Sequence, residues 1–358
     1  MSEKRVEIQW LRGLAALEVA IVHSDLLTKH ISTQSVLTGW YQHIGGIGVE
    51  VFFIVSGFIM CMRVPFSTGW RDFMMNRIRR IFPLYWILTS VAVLIFVMQP
   101  SWVLVGRTFS LEWLASSYLI LPQHREPPLG PGWTLEHEMV FYALVALGLA
   151  VLSAHIYGRL AFGVFVGALG VLGCAFGPGL DQPAWMSHLV SPYMLAFSFG
   201  WLVRCCEEMD SRRVWPALLG FFAAVVLLGL AVGADWSDRL VLRFLLAGAI
   251  FLTFVAARHL ATLKTVFGRF MLLLGEASFS LYLIHWFVLS ALGKFLGMVL
   301  PDVEQPAPLR ILGVAVACYA GILCFRYVEQ PIDRFLRSKG PLRMAQALTG
   351  RFRPALPP

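Results

Sequence analysis

Apolar residues in this chain run in long stretches, broken by short groups of charged residues, glycine and proline. Runs at 8–27, 44–62, 81–98, 136–153, 160–176, 188–204, 214–232, 239–257, 271–298 and 309–326 stand out. Each approaches the ~20 residues that a helix needs to cross the hydrocarbon of a bilayer. Lipid offers the backbone no hydrogen-bond partners, so runs of this length must close their own bonds as helices. The pattern predicts an all-α, polytopic membrane protein with about ten transmembrane helices. The ninth run is overlong and is expected to tilt or to continue past the membrane. Segment 111–121 is apolar but short; it reads as an interfacial or re-entrant piece, or else as an eleventh crossing.

Composition agrees. Of 358 residues, 58% are hydrophobic and 14% charged, and mean hydropathy is +0.71. Soluble domains carry about 25% charged residues, so the excess apolar sequence here must face lipid. Nothing marks off a separate polar domain, and residues 1–335 read as one membrane domain followed by a basic tail, 336–358. The first apolar run contains Arg12, Glu18, His23 and Asp25, which the apolar core of a cleavable signal peptide would exclude.

Charge sets the orientation. With the N-terminus inside, one face collects Lys4, Arg5, Arg63, Arg71, Arg77, Arg79, Arg80, Arg159, Arg204, Arg212, Arg213, Arg258, Lys264, Arg269 and the basic tail. The other face has Lys29, Arg107, Arg125, Arg239, Lys294 and Arg310. Lysine and arginine favour the cytoplasmic side, so both termini are expected there. The net charge of +8 is then accounted for by basic loops beside anionic lipid, and nucleic acid is not needed as a partner. The cysteines, Cys61, Cys174, Cys205, Cys206, Cys318 and Cys324, lie in or beside apolar segments without metal-type spacing. They read as buried apolar residues, with no metal site expected.

Ionisable residues inside spans are expensive and mark either function or pairing. Arg12 and His23 are eleven positions apart, about three helical turns, so they share a face and stand ~16 Å apart along the axis. The second span carries Glu50 near its outer end, and Gly45, Gly46, Gly48, Ser56 and Gly57 allow close helix packing, or else Ser56 and Gly57 leave room for a ligand while Glu50 supplies charge. Arg77, Arg79 and Arg80 in RIRRIFPLYW either anchor the span at the inner face or form an anion site, with Arg77 and Arg80 on one helical face. In GPGWTLEHEMVFY, Glu136 and Glu138 point ~200° apart, so one of them is expected to face the bundle interior. Trp133 and Tyr142 fit either the site or an interfacial aromatic belt. His285 lies mid-span, sharing a face with Tyr282 three positions earlier. Histidine with carboxylate suits general-base chemistry, and equally a proton relay in a transporter.

At these residues the chain resembles the acyltransferase-3 family of integral membrane O-acyltransferases, and within it the branch that acetylates bacterial exopolysaccharides of the succinoglycan type. Six motifs occur in order. R-x10-H is Arg12 to His23, and G-V-[DE]-x-F-F-x-x-S-G-F is Gly48, Val49, Glu50, Phe52, Phe53, Ser56, Gly57 and Phe58. R-x-x-R-I-x-P-x-Y is Arg77, Arg80, Ile81, Pro83 and Tyr85, and W-[ST]-L-x-x-E-x-x-F-Y is Trp133, Thr134, Leu135, Glu138, Phe141 and Tyr142. S-[YF]-S-x-Y-L-x-H is Ser278, Phe279, Ser280, Tyr282, Leu283 and His285, and [FY]-x-E-x-P is Tyr327, Glu329 and Pro331.

The resemblance implies a ten-helix fold in the bacterial inner membrane and transfer of an acetyl or other short acyl group from acyl-CoA to a sugar hydroxyl. It implies that His23 is the essential histidine, that Arg12 supports it, and that Arg77 and Arg80 help to hold the CoA. The expected assignments are His23, Arg12 and Glu138 as catalytic, Arg77, Arg80 and Ser56 as donor-binding, and Glu50, Trp133, Tyr282 and His285 as acceptor-side or supporting. Expected partners are acyl-CoA, a glycan or lipid-linked saccharide acceptor, membrane lipid and other polysaccharide-biosynthesis proteins. Loops 28–43 and 99–132 are expected to shape acceptor choice. Many relatives add a helix and an esterase-like C-terminal domain, so this chain is expected to finish the transfer in its membrane domain or with a separate partner. In many of them a hydrophobic or amide residue stands at the position of Glu136, which therefore reads as incidental. The competing functional readings are a proton-coupled glycan transporter or flippase, and a structural subunit of an export complex.

Overall fold

The structure, a computed structural model, describes residues 5–31, 46–64, 69–99, 109–151, 155–176, 182–209, 235–258, 264–300, 303 and 306–338, with the side chains of 235–239 and 241 excepted. The predicted span 214–232, most of loop 28–43, 100–108 of the second loop and the tail beyond 338 lie outside the described residues. Among the described residues the fold is entirely helical. In chain order the helices are α1 (Val6–Val22), α2 (Asp25–Thr28), α3 (Ile47–Arg63), α4 (Trp70–Met98), α5 (Leu111–Leu119), α6 (Gly132–Val151), α7 (Ile156–Phe176), α8 (Ala184–Leu189), α9 (Tyr193–Met209), α10 (Asp235–Ala256), α11 (Val266–Glu276), α12 (Ser278–Val299), α13 (Ala307–Cys324) and α14 (Gln330–Arg337). A π-helical turn, Phe325–Glu329, joins the last two.

Six helical stretches among the described residues are long and apolar enough to cross a membrane: Trp70–Met98, Gly132–Val151, Ile156–Ala175, Ala184–Met209, Ser278–Val299 and Ala307–Arg337. Large apolar side chains lie on their outer surfaces, among them Leu94, Leu147, Phe165, Met298 and Ile311. An exposed apolar surface of this extent is stable only against lipid. The chain is a multi-pass membrane protein. α1 and α3, at 17 residues each, are shorter.

Helix boundaries differ from the apolar runs where polar residues are helical or a run is interrupted. α4 begins at Trp70 rather than near 81, because the arginine-rich turn is itself helical. The overlong ninth run divides at Ala277 into α11 and α12. The first run ends its helix at Val22, with His23 at the C-cap, before the short α2. Segment 111–121 is a single short helix whose Ser110 side chain accepts from the Trp113 amide, a side-chain cap of the usual kind.

α1 is the organising element. It packs against α3, α10, α11, α12 and α13, while α3 lies along α9, and α9 against α7. Two crossings are held close by glycine. A Cβ on Gly57 would come within 2.0 Å of the Phe197 carbonyl oxygen, and one on Gly200 within 1.8 Å of that of Ile54. The α3–α9 interface therefore has backbone against backbone, as small residues allow in membrane bundles. The glycine-rich pattern in the second span is thus divided in role: Gly57 packs, whereas Ser56 next to it faces a cavity. Behind the crossing, Phe53, Phe141 and Phe197 stack in a buried aromatic group.

Candidate active site

The first wall of the site follows from helical spacing on α3. Val49, Phe52, Ser56, Ile59 and Arg63 recur every three or four residues and line one side of a cavity of about 300 Å³. The stripe is ~21 Å long at 1.5 Å per residue. α1 contributes Gln9 and Arg12, one turn apart; Arg12 Nη1 donates to Gln9 Oε1 at 3.2 Å. α4 contributes Arg77, Arg80 and Ile81, and α6 contributes Thr134, Leu135, Glu138 and Tyr142. Ser278, Phe279 and Tyr282 of α12 close the ring.

The cavity is polarised along its length. Arg5, Arg12, Arg63, Arg77, Arg80 and Arg337 line it, whereas Glu138 is the one carboxylate among its lining residues. Arg5 pairs with Glu7 and Glu207, Arg80 with Glu329, and Arg337 with Asp333. Arg12 and Arg77 have no carboxylate partner among the described residues, and Arg77 Nε is buried without a hydrogen-bond partner. Both are half-buried; guanidinium groups drawn partly out of water without a counter-ion are costly, and an anion entering the cavity relieves that cost. The far end is made of Val49, Phe52, Leu135, Thr134 and Tyr282, apolar or hydroxyl-bearing.

Near the middle, Ser56, Glu138 and Tyr142 form one hydrogen-bonded group. Ser56 Oγ donates to Glu138 Oε1 at 2.9 Å, Tyr142 OH donates to the same oxygen, and the two hydroxyl oxygens are 3.2 Å apart. Glu329, brought inward on the π-helical turn, accepts from Arg80 and from Ser280 Oγ. A π-helical turn re-aims side chains relative to an α-helix and recurs at functional sites.

Behind Tyr282 lie two imidazoles. His23 and His285 have ring centroids 5.1 Å apart, and His23 also touches Trp286 at 5.2 Å. His23 Nδ1 is 2.9 Å from the Val19 carbonyl oxygen, and His285 Nδ1 is 3.2 Å from that of Leu281. A carbonyl can only accept, so in each neutral ring Nδ1 holds the proton and Nε2 holds the lone pair. His285 is fully buried and its Nε2 has no partner among the described residues.

The structure therefore gathers Arg12, Ser56, Arg77, Arg80, Glu138 and Tyr282 around one cavity. His23 and His285 are outside its lining but within one side chain of it, through Tyr282, whose ring is 6.0 Å from that of His285. Glu50 and Trp133 lie apart. Glu50 is buried in an ion pair with Arg243, 3.1 Å away, close to Gly46 and Gly48, whose amides donate to Glu18. Trp133 packs on His137 and Tyr193. The two glutamates of α6 do face opposite ways: Glu138 enters the cavity, and Glu136 is buried against His188 Nε2 at 3.1 Å and Gln123 Nε2 at 2.8 Å. Glu136 is absent from the cavity lining, and its partners give it a place in the packing instead. Sequence reasoning left Gln9, Ser280 and Glu329 out of the site, although Glu329 sits in a quoted motif. It also placed Arg337 in a tail, whereas α14 carries it to the cavity.

A model of the acyltransferase domain matches residues 5–327, and the chain belongs to this acyltransferase-3 family. Among curated relatives, the chain is similar to the exopolysaccharide production protein ExoZ of Rhizobium meliloti (strain 1021), 29% identical over 330 residues covering 88% of this chain and 96% of the relative. It is also similar to acyltransferase MdmB of Streptomyces mycarofaciens, 25% identical over 365 residues covering 94% of this chain and 93% of that protein. No solved structure matches the chain.

Proposed function

We propose that this protein transfers an acetyl or other short acyl group from acyl-CoA to a hydroxyl of a bacterial exopolysaccharide or another surface glycan. The observation that carries this reading is the polarised cavity: a cluster of arginines at one end, Arg77 among them without a carboxylate partner among the described residues, apolar and hydroxyl groups at the other, and two imidazoles directly behind. An acyl-CoA has the matching polarity, with phosphates at one end and a thioester on an uncharged arm at the other. Arg77 and Arg80 receive the phosphates as charge-assisted forks, and Arg12 and Ser56 meet the polar groups of the arm. The name of ExoZ supports a polysaccharide-related acceptor.

In the transfer itself, His23 Nε2 takes the proton of the acceptor hydroxyl as its oxygen adds to the thioester carbonyl. The C–S bond then breaks, and the sulfur leaves as CoA thiol with that proton. The route through an acyl-histidine uses the same nitrogen as nucleophile and adds one step. Glu138 keeps Ser56 and Tyr142 oriented and balances the arginines. In this reading the chain crosses a bacterial inner membrane ten times, with both termini and the arginine-lined end on the cytoplasmic side, where acyl-CoA is made. The lysine and arginine bias supports that orientation. Membership of an acyltransferase family gives no support to the transporter reading.

The test is titration of purified protein in nanodiscs with acetyl-CoA. Saturable binding that is weakened in Arg77→Ala and Arg80→Ala is the expected result. A folded wild-type protein that binds no acyl-CoA contradicts the proposal.

A further inference from the structure

The donor cavity does not include His23 or His285 among its lining residues, and the residue that touches both compartments is Tyr282. Its hydroxyl is tied down from two directions. Tyr282 OH and Thr134 Oγ1 are 2.8 Å apart, and Tyr282 OH donates to the Pro131 carbonyl oxygen at 3.2 Å. Thr134 Oγ1 also lies 3.0 Å from that carbonyl oxygen, and with the Tyr282 proton on the carbonyl the single Thr134 proton can be donated to the phenol oxygen. On its cavity side the ring meets Phe52 edge-on, with centroids 5.6 Å apart. Three elements, α12, α6 and the segment before α6, therefore converge on one phenol.

That segment is held firmly elsewhere. Gln123 is bound through its amide and side chain to Glu136, Trp113 Nε1 donates to Glu126 O at 3.0 Å, and Gly130 lies against Trp286, which covers His23. The strap from 121 to 131 thus packs on Trp286, the neighbour of His23, and bonds to Tyr282 through the Pro131 carbonyl. Tyr282 lines the cavity, His285 lies 6.0 Å from its ring, and His23 lies 5.1 Å from His285.

Resting on the acyl-CoA reading above, we propose that Tyr282 is the gate between donor and acceptor compartments, latched by Thr134 and the Pro131 carbonyl. Turning the ring aside breaks those two hydrogen bonds and opens the path to His23. The latch confines the thioester to a cavity without the histidine base until the acceptor side is filled, and so suppresses hydrolysis. In that wasteful reaction water adds to the thioester carbonyl, the C–S bond breaks, acetate is released, and the thiol takes a proton from the water.

The experiment measures CoA release from acetyl-CoA with no acceptor present, alongside acetyl-CoA affinity, for wild type, Tyr282→Phe and Thr134→Val. Tyr282→Phe keeps the ring and removes the latch; Thr134→Val removes one latch bond from the other side. Each lost bond shifts an open–closed balance by up to about tenfold. The expected result is a rise in acceptor-independent release of about tenfold or more in Tyr282→Phe, a smaller rise in Thr134→Val, and unchanged donor affinity in both. Wild-type release in both variants overturns the gate. Weakened donor binding makes Tyr282 a donor contact and also overturns it, as does loss of release with binding intact, which makes the hydroxyl catalytic. Failure of the wild type to bind acetyl-CoA, by contrast, refutes the acyl-CoA reading itself.

Discussion

The imidazole rings of His23 and His285 lie with centroids 5.1 Å apart, although α1 and α12 are separated by most of the chain. Both Nδ1 atoms are committed to carbonyls within their own helices, so the pair presents its Nε2 atoms. A second imidazole next to the base can orient it and share its proton. His285→Ala is expected to lower turnover by about 10²-fold, the lower range for an acid–base contribution, with donor affinity unchanged. Steady-state kinetics with varied acetyl-CoA separates the two effects; a raised KM at wild-type turnover would place His285 in donor binding instead.

Arg77 and Arg80 carry the donor's charge in this account. Hydrogen bonds to charged groups are worth about 1.5–3 kcal/mol, so Arg80→Ala is expected to weaken acetyl-CoA binding by about 10- to 100-fold. Arg80→Lys is expected to recover only part of this, because an ammonium lacks the planar fork. Glu329 accepts from both Arg80 and Ser280. Arg80→Ala therefore also strands a buried carboxylate, and a fall in thermal stability should accompany the loss of affinity.

The two glutamates of α6 should separate cleanly by assay. Glu138 orients Ser56 and Tyr142 within the cavity, and Glu138→Gln is expected to reduce turnover while leaving the melting temperature close to wild type. Glu136 satisfies Gln123 and His188 away from the cavity. Glu136→Ala takes the partner from buried His188 Nε2 and from the Gln123 amide, while Gln123 Nε2 keeps Ser117 Oγ, and is expected to cost about 1–3 kcal/mol of stability, with donor binding retained. Thermal unfolding in detergent, run beside the binding assay, distinguishes them.

The α3–α9 crossing has no room for a side chain at Gly57 or Gly200. Gly57→Val forces the helices apart, and overpacking of this kind costs typically about 1–3 kcal/mol. A lowered melting temperature is expected. Because Ser56 is the neighbouring residue, donor affinity should fall with it.

Much of the site was legible because helical periodicity converts sequence spacing into shared faces. Arg77 with Arg80, and Glu138 opposed to Glu136, follow from 100° per residue alone, and the cavity holds Arg77, Arg80 and Glu138 as that geometry requires. The apolar runs located the helices but not their ends. RIRR is polar yet helical within α4, and the ninth apolar run, read straight through Gly275-Glu276-Ala277-Ser278, breaks there. Partners brought by tertiary packing were not legible. Arg310, counted among loop charges, is buried against Asp25 at 2.6 Å and Ser24 at 3.0 Å. Glu50 carries a charge toward Arg243 rather than toward the cavity. Arg12 lines the cavity whereas His23, at the C-cap of α1, does not, and the neighbouring Tyr282 comes from α12, which no spacing along α1 encodes.

The central claim is that this chain performs acyl transfer with His23 as its base or nucleophile. The most direct test is CoA release from acetyl-CoA by purified wild-type protein and His23→Ala with an exopolysaccharide supplied as acceptor, acetyl-CoA binding being followed in the same preparations. The expected result is release by wild type, loss of at least about 10²-fold in His23→Ala, and equal binding by both. Release at the wild-type rate from a folded His23→Ala protein would contradict the account.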